Sequence, residues 1–596
     1  MQKYEAPIKD IKYLINSVFK INNYSNLDKF KKINPETTNL ILEEASKFTQ
    51  NVLLPLNQLG DLEGCKFIEG DVQTPEGFKE AYNDFIEGGW SSLTFDEEFG
   101  GQGLPTIIGV IVSEMIVSTN MAFGMYPGLT QGAYKAIEEF GNSEQKKLYL
   151  PKFAEGKWTG TMNLTEPQCG TDLGLIKTKA EPITDGSYSI TGSKIFISAG
   201  EHDLSENIIH LVLARLPDAP PGIKGISLFI VPKFLPNDKG ELSERNYVNC
   251  VSIENKMGIK ASSTCEMKYE SATGYLLGEK NKGMRAMFIM MNEARLGVGI
   301  QGLGMSEVAY QSAAEYTKDR LQGRSLVSPL NPELPADPII VHPDVRRMLL
   351  SIRSFNEAAR SLSIWIALNI DIAEHHPDTE IQKNASDFVA LMTPIAKAFL
   401  TDSSFENVNL ALQCYGGHGY IRDHGMEQFV RDTRITQLYE GTSGIQALDL
   451  VGRKLPQDMG RLLRQFFHPV DKFIKENISV EDLSEIIMPL AKSFARLQQA
   501  SAWVAENGMS NPNEAAGASS DYLKLFGFVA LGYMWAMMAK TSHFMLNDED
   551  SDIQFHQDKI NLSKFYMNKV LPETSSLLSK ITAGSKTLMS IKNSNF

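Results

Sequence analysis

Tyr188-Ser189-Ile190-Thr191-Gly192-Ser193-Lys194-Ile195-Phe196-Ile197-Ser198 alternates in polarity and is rich in β-branched residues, the pattern of a half-buried strand. Two further runs, Asn207–Arg215 (NIIHLVLAR) and Ile226–Pro232 (ISLFIVP), read as strands between Gly, Pro and Asp turns. Together they predict a β domain from about 159 to 278. Outward from it the texture changes on both sides. From Ile8 to about Lys157 apolar residues recur at three-to-four spacing, with Gly60 expected to stop one helix and Pro105–Phe140 expected to form a buried helix pair. Helical periodicity returns at Gly283 and runs to about Lys454. Ser328–Pro338 interrupts it, and four prolines in that span forbid a helix. After Pro456 a last helical block follows, with Asn507–Asp521 expected as a polar loop between its halves. The fold class is mainly α with a central β domain. The expected domains are 1–158 (helical), 159–278 (β), 279–455 (helical bundle) and 456–596 (C-terminal helical).

A chain of 596 residues exceeds one core and calls for several domains. A formal net charge of −14 argues against nucleic acid as the main partner, because phosphate binding needs clustered Lys and Arg. The five cysteines, Cys65, Cys169, Cys250, Cys265 and Cys414, have no Cys-x-x-Cys spacing. Neither a disulfide framework nor a metal site is expected, and a reducing, cytoplasmic setting is. The N-terminus does not read as a signal peptide, nor the C-terminus as a peroxisomal address. Leu525–Ala539 is uncharged and apolar for 15 residues, short of the roughly 20 that a membrane span needs. A buried bundle helix is expected there.

The chemistry-bearing segments are spaced along this frame. Met162-Asn163-Leu164-Thr165-Glu166-Pro167-Gln168-Cys169-Gly170-Thr171-Asp172 precedes the first clear strand, and Phe196-Ile197-Ser198 ends it. Met291-Asn292-Glu293-Ala294-Arg295, Lys318-Asp319-Arg320 and Gln413-Cys414-Tyr415-Gly416-Gly417-His418-Gly419 follow. Leu438-Tyr439-Glu440-Gly441-Thr442-Ser443 comes last. Gly297-Val298-Gly299-Ile300-Gln301-Gly302 imitates a dinucleotide fingerprint. Such a fingerprint must follow a strand and open a helix, whereas the residues before Gly297 already read as helix. Gly297, Gly299, Gly302 and Gly304 are better explained by close approach of the helix to another helix or to a bound cofactor ring.

These segments resemble the signatures of the acyl-CoA dehydrogenase family over about Glu43–Lys454, and the longer tail resembles its large members. The resemblance implies an FAD-dependent enzyme that desaturates an acyl-CoA thioester to a trans-2-enoyl-CoA, with Glu440 as the base for the α-proton. It assigns Met162, Leu164, Thr165, Gly170, Thr171, Phe196, Ser198, Arg320, Gln413, Gly416, Gly417 and Thr442 to the flavin. Asn292, Arg295, Tyr439, Gly441 and again Thr171 go to the substrate. In some relatives the base precedes the arginine, a position held here by Ala294; Glu293 would face another side of the helix, so Glu440 is preferred. Phe196 and Ser198 stand where Trp and Thr are more frequent, Gln322 replaces a Phe, and Gly444 replaces a Gln. His418 is expected to support its neighbours or face solvent rather than to act in catalysis. An electron-transferring flavoprotein is the implied acceptor, and a homodimer capped by the C-terminal domain the implied assembly. The substrate expectation is 3-(methylthio)propanoyl-CoA, against a general short-, medium- or long-chain fatty acyl-CoA. An acyl-CoA oxidase and a helical scaffold without catalysis are the competing readings.

Overall fold

Asn207–Arg215 forms a strand buried on both faces in the computed structural model, which describes residues 2–237, 239–548 and 551–596. Successive side chains of a strand point to opposite faces. Ile209, Leu211 and Leu213 therefore enter a core with Tyr134, Tyr149 and Phe153. Val212 and Ala214 enter a second core with Ile190, Phe229, Val231 and Met267. With apolar neighbours on both sides the strand needs no polar face, so its interior is apolar but for His210, which bonds the Thr161 hydroxyl.

Thr264–Leu277 pairs antiparallel with Tyr188–Ser198, Thr264 opposite Ser198, and also with Ile226–Pro232. Ile226–Pro232 pairs in turn with Asn207–Arg215. Lys179–Pro182 joins Tyr188–Ser198 to Asn207–Arg215, which closes the pairing into a barrel. Val248–Ile253 and Trp158–Asn163 extend it. The three strands read from sequence have the observed bounds.

The barrel belongs to a compact unit of residues 44–297. Its helices Thr106–Thr119 and Met121–Phe140 are the expected buried pair. Gly60 does not end its helix: Leu54–Glu63 runs through it and stops at Gly64, whose φ is +68°. A Cβ on Gly60 would lie 2.8 Å from the Phe78 ring, so this glycine serves close packing. A hairpin, Lys66–Ile68 with Asp71–Gln73, lies inside the stretch read as helical.

The other unit comprises residues 2–43 and 298–596. Pro343–His375 and Thr379–Cys414 are long helices. The proline-rich Ser328–Pro338 segment contains no helix, as expected. It is tied together by Asp337, which accepts from the backbone N–H groups of Ser325, Leu330 and Asn331. The expected loop Asn507–Asp521 is helix instead. Ser484–Ser510 ends at Asn511, whose side chain caps the next helix, Pro512–Met545. Asn511 as cap, Pro512 at the first turn and the small helix-favouring residues after it make a junction of one residue. Pro512–Met545 is long and apolar enough to cross a membrane by length and composition, but its most apolar window is 83% buried. It is the expected core helix. Gly297–Gly302 lies inside the helix Gly283–Asp319, as the missing strand predicts. Gly299 and Gly302 approach the backbone of Ala396 and Thr401, whereas Gly297 has open space around it, so close packing does not account for it.

Candidate active site

Leu438–Thr442 links the turn Ile435–Gln437 to the helix Ser443–Asp449. Within it Glu440 has φ +56° and Gly441 φ +84°. A left-handed conformation suits glycine, but at a glutamate it costs on the order of 1–3 kcal/mol and persists only where the surroundings impose it. Lys397 Nζ donates to the Gly441 carbonyl at 2.7 Å. Gln446 Nε2 donates to the Glu440 carbonyl at 3.0 Å and more weakly to that of Gly441 at 3.4 Å. Asp402 accepts from Gln437 Nε2 at 2.8 Å and from Ser443 Oγ at 2.7 Å, one bond on each flank of the loop. The Tyr439 hydroxyl donates to Gln301 Oε1, and burial pushes its phenol pKa well up. A cavity of about 310 Å³ is lined in part by Gln437 and Ser443, which flank the loop, and by Phe399, Asp402 and Leu523.

Gln446 Oε1 is buried without a partner. Turning the amide over would set that oxygen against two carbonyls, so the amide is held with its donor toward Glu440 and Gly441. Thr442 Oγ1 caps the following helix by accepting from the Ile445 N–H.

A second cluster lies in the barrel unit. The strand Trp158–Asn163 runs into Leu164-Thr165-Glu166, and the Thr165 carbonyl accepts from the Ile195 N–H at 2.9 Å. Met162, Leu164 and Thr165 are thereby joined to the strand bearing Phe196 and Ser198. Beneath them Lys194 Nζ, wholly buried, donates to the Leu164 carbonyl at 3.0 Å and to Glu166 at 2.9 Å. Glu166 also accepts from the N–H groups of Lys177 and Thr178, the Thr178 hydroxyl and Gln168. Burial alone would raise its pKa, but the Lys194 charge and these donors outweigh it and hold the carboxyl down to about 2. Phe196 has φ +59° and is 59% exposed. The hydroxyls of Thr165, Thr171 and Ser198 have no partner among the described residues. Gly170 and Thr171 are exposed beside them. An open flat ring with unengaged hydroxyls is a donor set that fits the isoalloxazine ring of FAD.

The remaining predicted residues fall in two places. Asn292 is exposed and Arg295 buried on the helix Gly283–Asp319, in the barrel unit. Arg320 is exposed at the end of that helix, in the other unit. There Tyr316 stacks on Tyr415 at 4.0 Å and bonds His418 at 2.7 Å. This brings Arg320 near the exposed Gln413, Gly416 and Gly417. A Cβ at either glycine would meet nothing within 4 Å, so that surface is open to a ligand. His418 is exposed, as expected.

Sequence reasoning missed Lys397, Asp402 and Gln446, and gave Lys194 and Glu166 no role. The signal for both lysines was a lone cation in an apolar run, Pro394-Ile395-Ala396-Lys397-Ala398-Phe399-Leu400 and Lys194-Ile195-Phe196-Ile197; a buried ammonium must be paired.

Fold and site together define a flavoenzyme of the acyl-CoA type: a helical–β–helical chain with a flavin-fitting barrel edge and a braced glutamate. The chain belongs to the acyl-CoA dehydrogenase family. That family's N-terminal, middle and C-terminal domains match residues 35–157, 161–272 and 281–455. An acetyl-CoA dehydrogenase C-terminal-like domain matches 466–592. The chain is 42% identical to 3-methylmercaptopropionyl-CoA dehydrogenase of Ruegeria pomeroyi, over 97% of this chain and 98% of that one. It is 33% identical to a butyryl-CoA dehydrogenase of Syntrophomonas wolfei, over 96% and 95%. In fold it is similar to an acyl-CoA dehydrogenase from Bacillus anthracis in complex with FAD (TM-score 0.74, 21% identity, 94% of this chain and 90% of that one). It is also similar to ACDH-11 of Caenorhabditis elegans (TM-score 0.77, 17% identity, 99% and 96%). The protein is an FAD-dependent oxidoreductase that acts on the CH–CH group of acyl-CoA thioesters.

Proposed function

We propose that Glu440 is the base of this desaturation and that the substrate is 3-(methylthio)propanoyl-CoA, converted to methylthioacryloyl-CoA. The observation that carries the assignment is the left-handed Glu440 with its carbonyl and that of Gly441 both held by buried donors. Strain retained in this way is characteristic of working groups. The Glu440 carboxylate takes the proton from the α-carbon, and its main-chain N–H steadies the negative charge that develops on the thioester oxygen. Bound flavin supplies the hydride acceptor for the β-carbon.

Met162, Leu164, Thr165, Gly170, Thr171, Phe196, Ser198 and Thr442 would hold the flavin. Arg320, Gln413, Gly416 and Gly417 would hold its diphosphate end in a homodimer; a guanidinium and open glycine backbone suit paired phosphate oxygens. Asn292, Arg295, Thr171, Tyr439 and Gly441 would contact the acyl-CoA. An electron-transferring flavoprotein is the proposed acceptor. The five unpaired thiols support a reducing cytoplasmic setting.

The substrate proposal rests on the Ruegeria relative. The butyryl-CoA relative favours a second reading, a straight short-chain substrate of similar shape. Anaerobic titration of the flavin with acyl-CoAs from C4 to C16 and 3-(methylthio)propanoyl-CoA separates them. Fastest bleaching by the methylthio thioester is expected. Faster bleaching by butyryl-CoA selects the second reading, and bleaching by none overturns both.

A further inference from the structure

Lys397 lies within the helix Thr379–Cys414, and none of its surface reaches solvent. Its ammonium lies against the Gly441 carbonyl, one residue from Glu440. A peptide unit is planar, with N–H and C=O pointing in opposite directions. Because the Glu440 carbonyl is turned to Gln446 and the Gly441 carbonyl to Lys397, the N–H groups of Gly441 and Thr442 point away from the braced side. The bond from Lys397 thus sets which side of the loop presents donors.

Charged and titratable groups from more than one element surround the loop. Asp402 comes from the same helix as Lys397 and bonds Gln437 and Ser443. Asp432, on the helix Met426–Arg434, acts on Tyr439 together with Glu440. On that same helix Arg431 is paired with Glu427, and Arg434 is turned to Gln437 and the Phe405 ring. Lys397 is a buried cation that bonds the loop backbone itself.

We propose that Lys397 is a positioning residue for proton abstraction: it fixes the Gly441–Thr442 peptide, next but one to the base along the loop, and places a positive charge one residue from Glu440 that favours its ionised form. This rests on Glu440 being the base. A lysine that served only to fill the helix core would not place its ammonium on a carbonyl of the loop that carries the glutamate.

The test is anaerobic rapid mixing of Lys397→Met with the best acyl-CoA across pH, beside wild type. FAD content and affinity for the enoyl-CoA product are measured in parallel. The expected result is retained flavin and product affinity, with flavin reduction slowed about 100-fold, the loss typical of a base misplaced by about 1 Å. The acid limb of the rate should also move to higher pH, because removing a nearby cation raises a carboxyl pKa. Lys397→Arg, which keeps the charge, should return the acid limb toward its wild-type position. If Lys397→Met does not retain flavin, Lys397→Gln is read by the same two measures. A wild-type rate with an unmoved acid limb in the uncharged variant overturns the proposal. A Glu440→Gln enzyme that still reduces its flavin overturns the reading of Glu440; an inactive Glu440→Gln beside a wild-type-like Lys397→Met overturns only the role of Lys397.

Discussion

At the scale of single residues, Gly441 has no room for a side chain. A Cβ there would lie 2.6 Å from Gln446 Nε2, and φ is +84°. Gly441→Ala must either twist the loop or expel the amide that holds the Glu440 carbonyl. We expect a stability loss of about 1–3 kcal/mol and a flavin-reduction rate lowered at least about 10-fold, with FAD still bound, read by stopped-flow absorbance and thermal melting. Lys194→Met leaves Glu166 buried beside a vacated partner. Breaking a buried pair from one side costs about 3–5 kcal/mol, so a lower denaturation midpoint and loss of FAD are expected together. Unchanged flavin content in that variant would contradict the account of the Leu164–Glu166 segment. The segment around Glu440 stood out in sequence because it follows Gln413–Gly419 at a short spacing. Lys397 did not, because the carbonyl it serves is 44 positions away and only the packing of two helical segments brings them together.

At the scale of elements, strand bounds were legible where apolar residues either alternate or run unbroken between turn residues. Helix ends were less so. Gly60 looked like a stop, yet a glycine inside a helix is tolerated where a neighbouring ring needs its space, here that of Phe78. Asn507–Asp521 looked like a loop because its residues are small and polar, but Ala and Glu favour helix and Asn511 with Pro512 starts one. Asn511→Ala should lower stability by about 1 kcal/mol, seen as a small drop in melting temperature with activity retained. Gly527 lies where Pro512–Met545 packs on Thr379–Cys414: a Cβ would fall 2.2 Å from the Phe399 ring. Gly527→Ala should therefore destabilise by overpacking, by about 1–3 kcal/mol. A melting temperature equal to wild type would show that the two helices are not seated as described.

At the scale of the whole molecule, the order of helical and β segments was legible from periodicity alone. The grouping of residues 2–43 with 298–596 was not, because it depends on contacts between distant positions. Asp10, near the N-terminus, is ion-paired with Arg360 and Lys559. Lys559 also pairs with Glu357 and Arg360 with Glu307. All five are buried, and no local pattern announces such a network. The barrel unit carries a different liability. His202 and His210 are wholly buried, each bonded to a threonine hydroxyl. Burial first, and the Lys233 charge second, push both pKa values down to about 3. An unfolded histidine binds a proton below about 6.5, so between about pH 3 and 6.5 the unfolded chain holds more protons than the folded one. Stability from these two residues is complete above about 6.5 and is lost as pH falls toward 3. Urea midpoints should drop on acidification through this window, and less steeply in His210→Gln. An identical pH slope in that variant would show that His210 is not buried as a neutral ring.

The central claim is that Glu440 removes the α-proton, and anaerobic mixing of Glu440→Gln with 3-(methylthio)propanoyl-CoA addresses it most directly. The amide keeps the shape of the side chain but not its basicity. The account predicts a flavin-loaded protein that binds the thioester, seen as a shift of the visible flavin band, and does not bleach. Bleaching at a rate comparable to wild type would contradict it and move the search for the base to another carboxylate.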